Sequence, residues 1–136
     1  MSDVVFIDTS VWVDYFRNSD FPPGEWIDGL IRDDRAAVNG IVLTELITGA
    51  KGDREAGLLS DTLRGLRFLD FSTSFFAQAG AFGRKLKTKG ISVPLSDLLI
   101  ATHCLEHDLV LIARDRHLRD ISKYLPLRYS EDALKF

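Results

Sequence analysis

The chain has a single cysteine, Cys104, so it can form no internal disulfide, and that usage fits a reducing cytoplasm. Cys104 itself reads as a small core residue. No apolar run approaches the ~20 residues a membrane helix needs, and the N-terminus enters a strand with no basic, signal-like preface. A cytoplasmic protein without a membrane partner is expected. There is no excess of basic charge: 17 Lys+Arg against 20 Asp+Glu give a net charge of -3. That balance argues against a strong non-specific nucleic-acid coat, but it leaves room for a nucleic-acid substrate met by local basic patches or through a bound cation. Repeats, linkers and low-complexity tracts are missing too, so residues 1–136 read as one domain, large enough to bury a core without staples.

What is present is an alternation of strand and helix signals. Val4–Ile7 is a short β-branched and aromatic run, with Ser10 placed to cap a helix over Val11–Arg17 whose Trp12, Tyr15 and Phe16 share a face. After the break at Asp20–Gly24, a helix is expected over Glu25–Asp34, a strand over Ala36–Asn39 and an apolar helix from about Val42 to Thr48. An amphipathic helix over Arg54–Leu66 and a strand over Arg67–Phe71 follow. Ser72 or Thr73 then caps a helix carrying Phe75, Phe76, Ala79, Phe82 and Leu86, with Gly90 past its end. Ser96 caps a helix to about His107, Leu109–Ala113 is a strand, Arg116–Lys123 a short helix and Leu127–Tyr129 a last strand. This order predicts a three-layer α/β/α fold around a parallel sheet of four to five strands.

Such sheets bind ligands outside the carboxyl ends of their strands. Asp8 and Asp115 fall just after the first and fourth strands, Glu45 lies in or before the helix after the second, and Asp97 opens the helix that feeds the fourth. With 20 acidic residues present, most must be ordinary surface charges. Glu45 stands out because Ile41, Val42, Leu43, Leu46 and Ile47 leave little polar face around it. Asp97 shares helical spacing with Ile100, Ala101 and Cys104. A turn would also account for Asp8, and a surface cluster with Arg114, Arg116 and Arg119 for Asp115.

Taken together, four acids tied to buried runs are hard to explain as solvation. Two carboxylates ~4 Å apart repel by about 4 kcal/mol at an effective dielectric near 20, so convergent carboxylates need protons, arginines or a metal. Hard oxygen ligands select Mg²⁺ or Mn²⁺ over Zn²⁺ or Cu²⁺. One or two such ions orient a water, acidify it and stabilise the leaving oxygen of a phosphodiester. Asp8, Glu45 and Asp97 are expected as ligands, direct or through water, and Asp115 as completing the site or holding a water.

Four short motifs in order carry a resemblance over essentially the whole chain. They are Asp8-Thr9-Ser10-Val11-Trp12; Leu43-Thr44-Glu45-Leu46 with Gly49; Pro94-Leu95-Ser96-Asp97-Leu98-Leu99-Ile100-Ala101; and Leu111-Ile112-Ala113-Arg114-Asp115-Arg116. In these the chain resembles the PIN-domain ribonucleases, specifically the VapC-type toxins of bacterial toxin–antitoxin pairs. The resemblance implies a Mg²⁺- or Mn²⁺-dependent endoribonuclease cutting structured RNA such as transfer or ribosomal RNA, a homodimer, and a VapB-like antitoxin that occupies the site and represses the shared operon. Asp8, Glu45, Asp97 and Asp115 match the family's acidic quartet, and Ser10 matches a polar position that supports the first acid. Ala113 departs from the Thr or Ser common there, and His117-Leu118 stands where many relatives carry an acid followed by an aromatic; both departures bear on the role of Asp115.

Two other readings compete. His103-Cys104-Leu105-Glu106-His107 spells H-x-x-E-H, a pattern of certain zinc peptidases, although few residues follow it to supply a third ligand. The plainer reading makes both histidines solvent-facing near a helix end. A receiver-like Mg²⁺-binding signalling module would use Asp70 as phosphoacceptor, yet the acidic pair it needs after the first strand is missing, since Thr9 follows Asp8. Of the basic residues, Arg114, Arg116 and Lys51 are candidates to steer RNA, and the Arg84–Lys89 run reads as a solvated helix end. Trp12, Tyr15 and Phe16 would offer an antitoxin surface, though they read first as core.

Overall fold

The computed structural model describes residues 3–18, 20–131 and 134. Its sheet is all-parallel in the order β3-β2-β1-β4-β5, with β1 Val5–Ile7, β2 Ala36–Asn39, β3 Arg67–Leu69, β4 Val110–Ile112 and β5 Arg128–Ser130. Register pairs Val5 with Ala36 on one side and with Val110 on the other. Between the strands run α1 Thr9–Arg17, α2 Gly24–Arg32, α3 Gly40–Thr48, α4 Asp53–Arg64, α5 Phe75–Thr88, α6 Leu95–Glu106 and α7 Arg116–Ser122. No helix among the described residues is long and apolar enough to cross a membrane.

The burial pattern follows from the topology. Strands β1 and β2 are buried throughout, while the edge strands β3 and β5 carry exposed residues, because helices cover both faces of a parallel sheet. Phe6, Ile7, Trp12, Ile27, Leu111 and Ile112 fill the core, each burial contributing about 1.5–3 kcal/mol. Trp12 is fully buried and touches Tyr15 and Phe16 edge-on and stacked, so it packs the core rather than offering a docking surface. Gly90 lies just past the end of α5, and its φ of 75° suits a residue without Cβ.

Several boundaries differ from expectation. Asp8, not Ser10, caps α1, accepting from the Ser10 backbone N–H. Helix α5 opens after Ser74 with no side-chain cap, so neither Ser72 nor Thr73 serves. Helix α6 opens at Leu95 after Pro94, placing Ser96 inside its first turn. The third strand stops at Leu69, and the last lies one residue beyond the expected Leu127–Tyr129.

The chain moves outward from β1 through β2 to β3, then returns to lay β4 on the other flank of β1. The carboxyl ends of β1 and β4 therefore face a crevice where the winding reverses. There the Asp8 backbone N–H donates to the Ile112 carbonyl at 3.0 Å, locking the two strand ends together.

Candidate active site

Four elements bring one acid each to this crevice: Asp8 at the end of β1, Glu45 on α3, Asp97 in the first turn of α6 and Asp115 at the N-cap of α7. Asp8 and Asp97 are buried. Burial, followed by the charges of Asp115, Asp8 and Glu45 in that order, pushes the Asp97 carboxyl up to about 7. Burial likewise raises Asp8; two hydrogen bonds from Ser10 draw it back, and Asp115 raises it again. Asp97 thus lies in the field of the other three carboxylates, and Asp8 in that of Asp115. Among the described residues no lysine or arginine pairs with any of them.

Local hydrogen bonds fix the acids in place. Ser10 donates its hydroxyl to Asp8 Oδ2 at 2.7 Å and its backbone N–H to the same oxygen at 3.2 Å. Thr9 donates its hydroxyl to Glu45 Oε1 at 2.8 Å. Asp115 Oδ1 accepts the Leu118 N–H at 3.0 Å, capping α7, and its own N–H donates to the Tyr129 hydroxyl oxygen at 3.1 Å. Glu45 departs from expectation in being exposed: the outer face of α3 opens on the crevice mouth, so its apolar neighbours do not enclose it.

Asp115 also departs from the surface arginine cluster that the sequence allowed. Arg119 pairs with Glu131, and Arg114 donates to the Leu134 carbonyl and lies 3.9 Å from Asp14. Beside Asp115 stands instead His117, which the sequence marked only as a departure from the family pattern. Its Nδ1 stands 3.4 Å from Asp97 Oδ2 and 3.8 Å from Asp115 Oδ1. The signal for it was its position two residues past an acid, in the first turn of an expected helix. Ligand atoms of Asp97, Asp115 and His117 lie within 4.8 Å of one another. Mutually repelling carboxylate oxygens with a neighbouring imidazole suit a divalent cation, which would remove the repulsion.

The competing readings meet physical obstacles. His103 is fully buried, not solvent-facing. Its Nδ1 meets Asn39 Nδ2 at 2.9 Å and its Nε2 the Asp70 carbonyl at 3.3 Å, so a ring already bonded at both nitrogens is not free to bind zinc. Burial pushes this imidazole down to about 4. Asp70 follows the edge strand β3, two strands from β1, and is not among the charges acting on Asp97; a receiver-like acidic pocket does not form around it. Asn39 was likewise missed: buried, it caps α3 by accepting from Ile41 and Val42 N–H groups at 3.0 and 3.1 Å while tying that cap to α6 through His103. A groove of about 780 Å³ beside α4, lined by Phe16, Lys51, Arg54 and Leu58, contains none of the four acids.

A parallel sheet between helices, with carboxylates crowded where its winding reverses, defines the class: a three-layer α/β/α fold with an acidic crevice. The PIN domain family model matches residues 5–124, and the chain belongs to that family. It is 28% identical over 130 residues to the VapC ribonuclease Mb1587 of Mycobacterium bovis, covering 92% of this chain and 96% of that one. Ribonuclease VapC11 of Mycobacterium tuberculosis is similar to the same extent. Among solved structures, VapBC2 from Rickettsia felis bound to a DNA fragment from their promoter superposes with a TM-score of 0.75 at 22% identity, covering 93% of this chain and 96% of that chain.

Proposed function

We propose that the protein is a divalent-metal-dependent endoribonuclease, the toxin of a type II toxin–antitoxin pair, acting in the cytoplasm on structured RNA such as transfer or ribosomal RNA. The observation that carries this reading is that Asp8, Glu45 and Asp115 gather close enough to Asp97 for their charges to raise its carboxyl, in a PIN-family chain. In this reading those four residues hold Mg²⁺ or Mn²⁺, and Ser10 supports Asp8. When bound, the cation acidifies water and stabilises the leaving oxygen of a phosphodiester.

The chain's own groups do the rest. Asp8 and Asp97, held by caps and burial, present fixed oxygens to the cation. Glu45, exposed at the mouth and tethered by Thr9, borders the path of the entering phosphate. Arg114 on the β4–α7 connection and Arg116 at the start of α7, both exposed, draw in the RNA backbone by charge, and Lys51 extends the basic track. A VapB-like antitoxin is the proposed partner, as in the complexes to which the fold is similar, and the chain acts as a homodimer. Exposed Leu58, Phe76 and Leu95 supply apolar surface for such contacts.

The test is to sequence the cut ends of total RNA after brief induction of wild type and of Asp8→Ala. The reading predicts discrete new ends with the wild type that vanish with the variant. Identical ends from both would overturn it.

A further inference from the structure

We infer that the imidazole of His117 is itself a ligand of the cation in this pocket and shifts the site's preference from Mg²⁺ toward Mn²⁺. The inference rests on the metal-dependent reading above and extends it to a residue outside the acidic quartet. Its first support is geometric. His117 Nδ1 lies 3.4 Å from Asp97 Oδ2 and 3.8 Å from Asp115 Oδ1, and the three ligand atoms span no more than 4.8 Å. Atoms bound at about 2.1 Å to one octahedral ion stand about 3 Å apart when adjacent and about 4.2 Å apart when opposite. The observed separations overlap that range, so small side-chain adjustments let all three share an ion. They are also too long for good hydrogen bonds, so neither carboxylate engages Nδ1 as the acceptor of an N–H.

The second support is how the ring is held. His117 sits in the first turn of α7, whose N-cap is Asp115 and whose next residue, Leu118, is fully buried. One residue therefore both borders the ion and orients the turn that carries the imidazole. The ring is partly open, at 33% exposure, which leaves it able to adjust.

The third support is chemical. Mg²⁺ favours all-oxygen surroundings and gives up water reluctantly, whereas imidazole suits transition metals. An imidazole donor brings no negative charge to the pocket, unlike a carboxylate in the same place. A site with one such donor holds Mg²⁺ less well by charge alone, while the nitrogen compensates a transition metal.

Pulsed electron paramagnetic resonance on the full chain loaded with Mn²⁺ reads the claim directly. Nitrogen modulation from a coordinated imidazole is expected in wild type and should disappear in both His117→Asp and His117→Ala. Competition titration should show the Mn²⁺-to-Mg²⁺ affinity ratio falling about tenfold in His117→Asp, by exchange of a nitrogen donor for an oxygen. Mn²⁺ bound by wild type with no nitrogen coupling, or a ratio untouched by His117→Asp, would overturn the role of His117 and leave the acidic site standing. Failure of wild type to bind either ion would overturn both.

Discussion

Thr9 donates its hydroxyl to Glu45 Oε1 at 2.8 Å, clasping the first turn of α1 to α3 across the crevice from a residue 36 positions away. Thr9 directly follows Asp8, so one short segment positions two of the four acids: Asp8 through Ser10 and Glu45 through Thr9.

Thr9→Val keeps the shape and removes the donor. Groups that orient metal ligands typically matter by about 10–100-fold in affinity, and the lower end is expected for this exposed bond. Titration calorimetry with Mn²⁺ should show weaker binding with a nearly unchanged melting temperature. Equal affinity would make Thr9 a bystander.

Asp97 binds its proton more tightly in the fold than in the unfolded chain, with a carboxyl pushed up to about 7 from an ordinary 3.8. Between those values the folded state holds a proton that the unfolded state has released. Without metal, this residue's contribution to stability is therefore greatest below about pH 4, declines as pH rises, and is fully lost above about 7. Asp97→Asn should then melt higher than wild type at pH 8 in chelator, by roughly 3–5 °C per kcal/mol relieved. Added Mn²⁺ should narrow or reverse the difference by stabilising only wild type. A variant that melts lower in chelator would contradict the crowding of charge.

His103 behaves oppositely. Burial holds it down to about 4 in the fold against an ordinary 6.5, so between those values the unfolded chain gains a proton that the native ring refuses. Its contribution is intact above about 6.5 and falls as pH drops toward 4. His103→Phe should be destabilised at pH 7.5 by about 1–3 kcal/mol, because Asn39 loses a partner, and the gap should close as pH falls to 5. Urea midpoints measured at both pH values check this; a gap that widens in acid would contradict a buried neutral ring.

The strand alternation, the sheet and the placing of the four acids were legible in the sequence, because each rests on local periodicity: apolar runs of strand or helix length, with Asp8 and Asp115 just beyond strands and Glu45 and Asp97 within helices. Strand β2 was read to its exact ends at Ala36 and Asn39. Contacts between distant segments were not legible. His103 looked solvent-facing because it lies near a helix end, but the ring contacts of Phe71 and Phe75 and the amide of Asn39 enclose it. Glu45 looked enclosed because its neighbours are apolar, yet a helix beside a crevice mouth can leave one face open. His117 carried no periodic signal at all; only the turn of α7 against α6 brings it to Asp97.

The most direct test of the account counts Mn²⁺ ions at equilibrium by the free-ion paramagnetic resonance signal, for wild type, Asp8→Asn, Glu45→Gln and Asp97→Asn. The account predicts at least one tight site in wild type and marked weakening in each variant, since every acid contributes to one shared pocket. Retention of wild-type affinity by all three variants would contradict it.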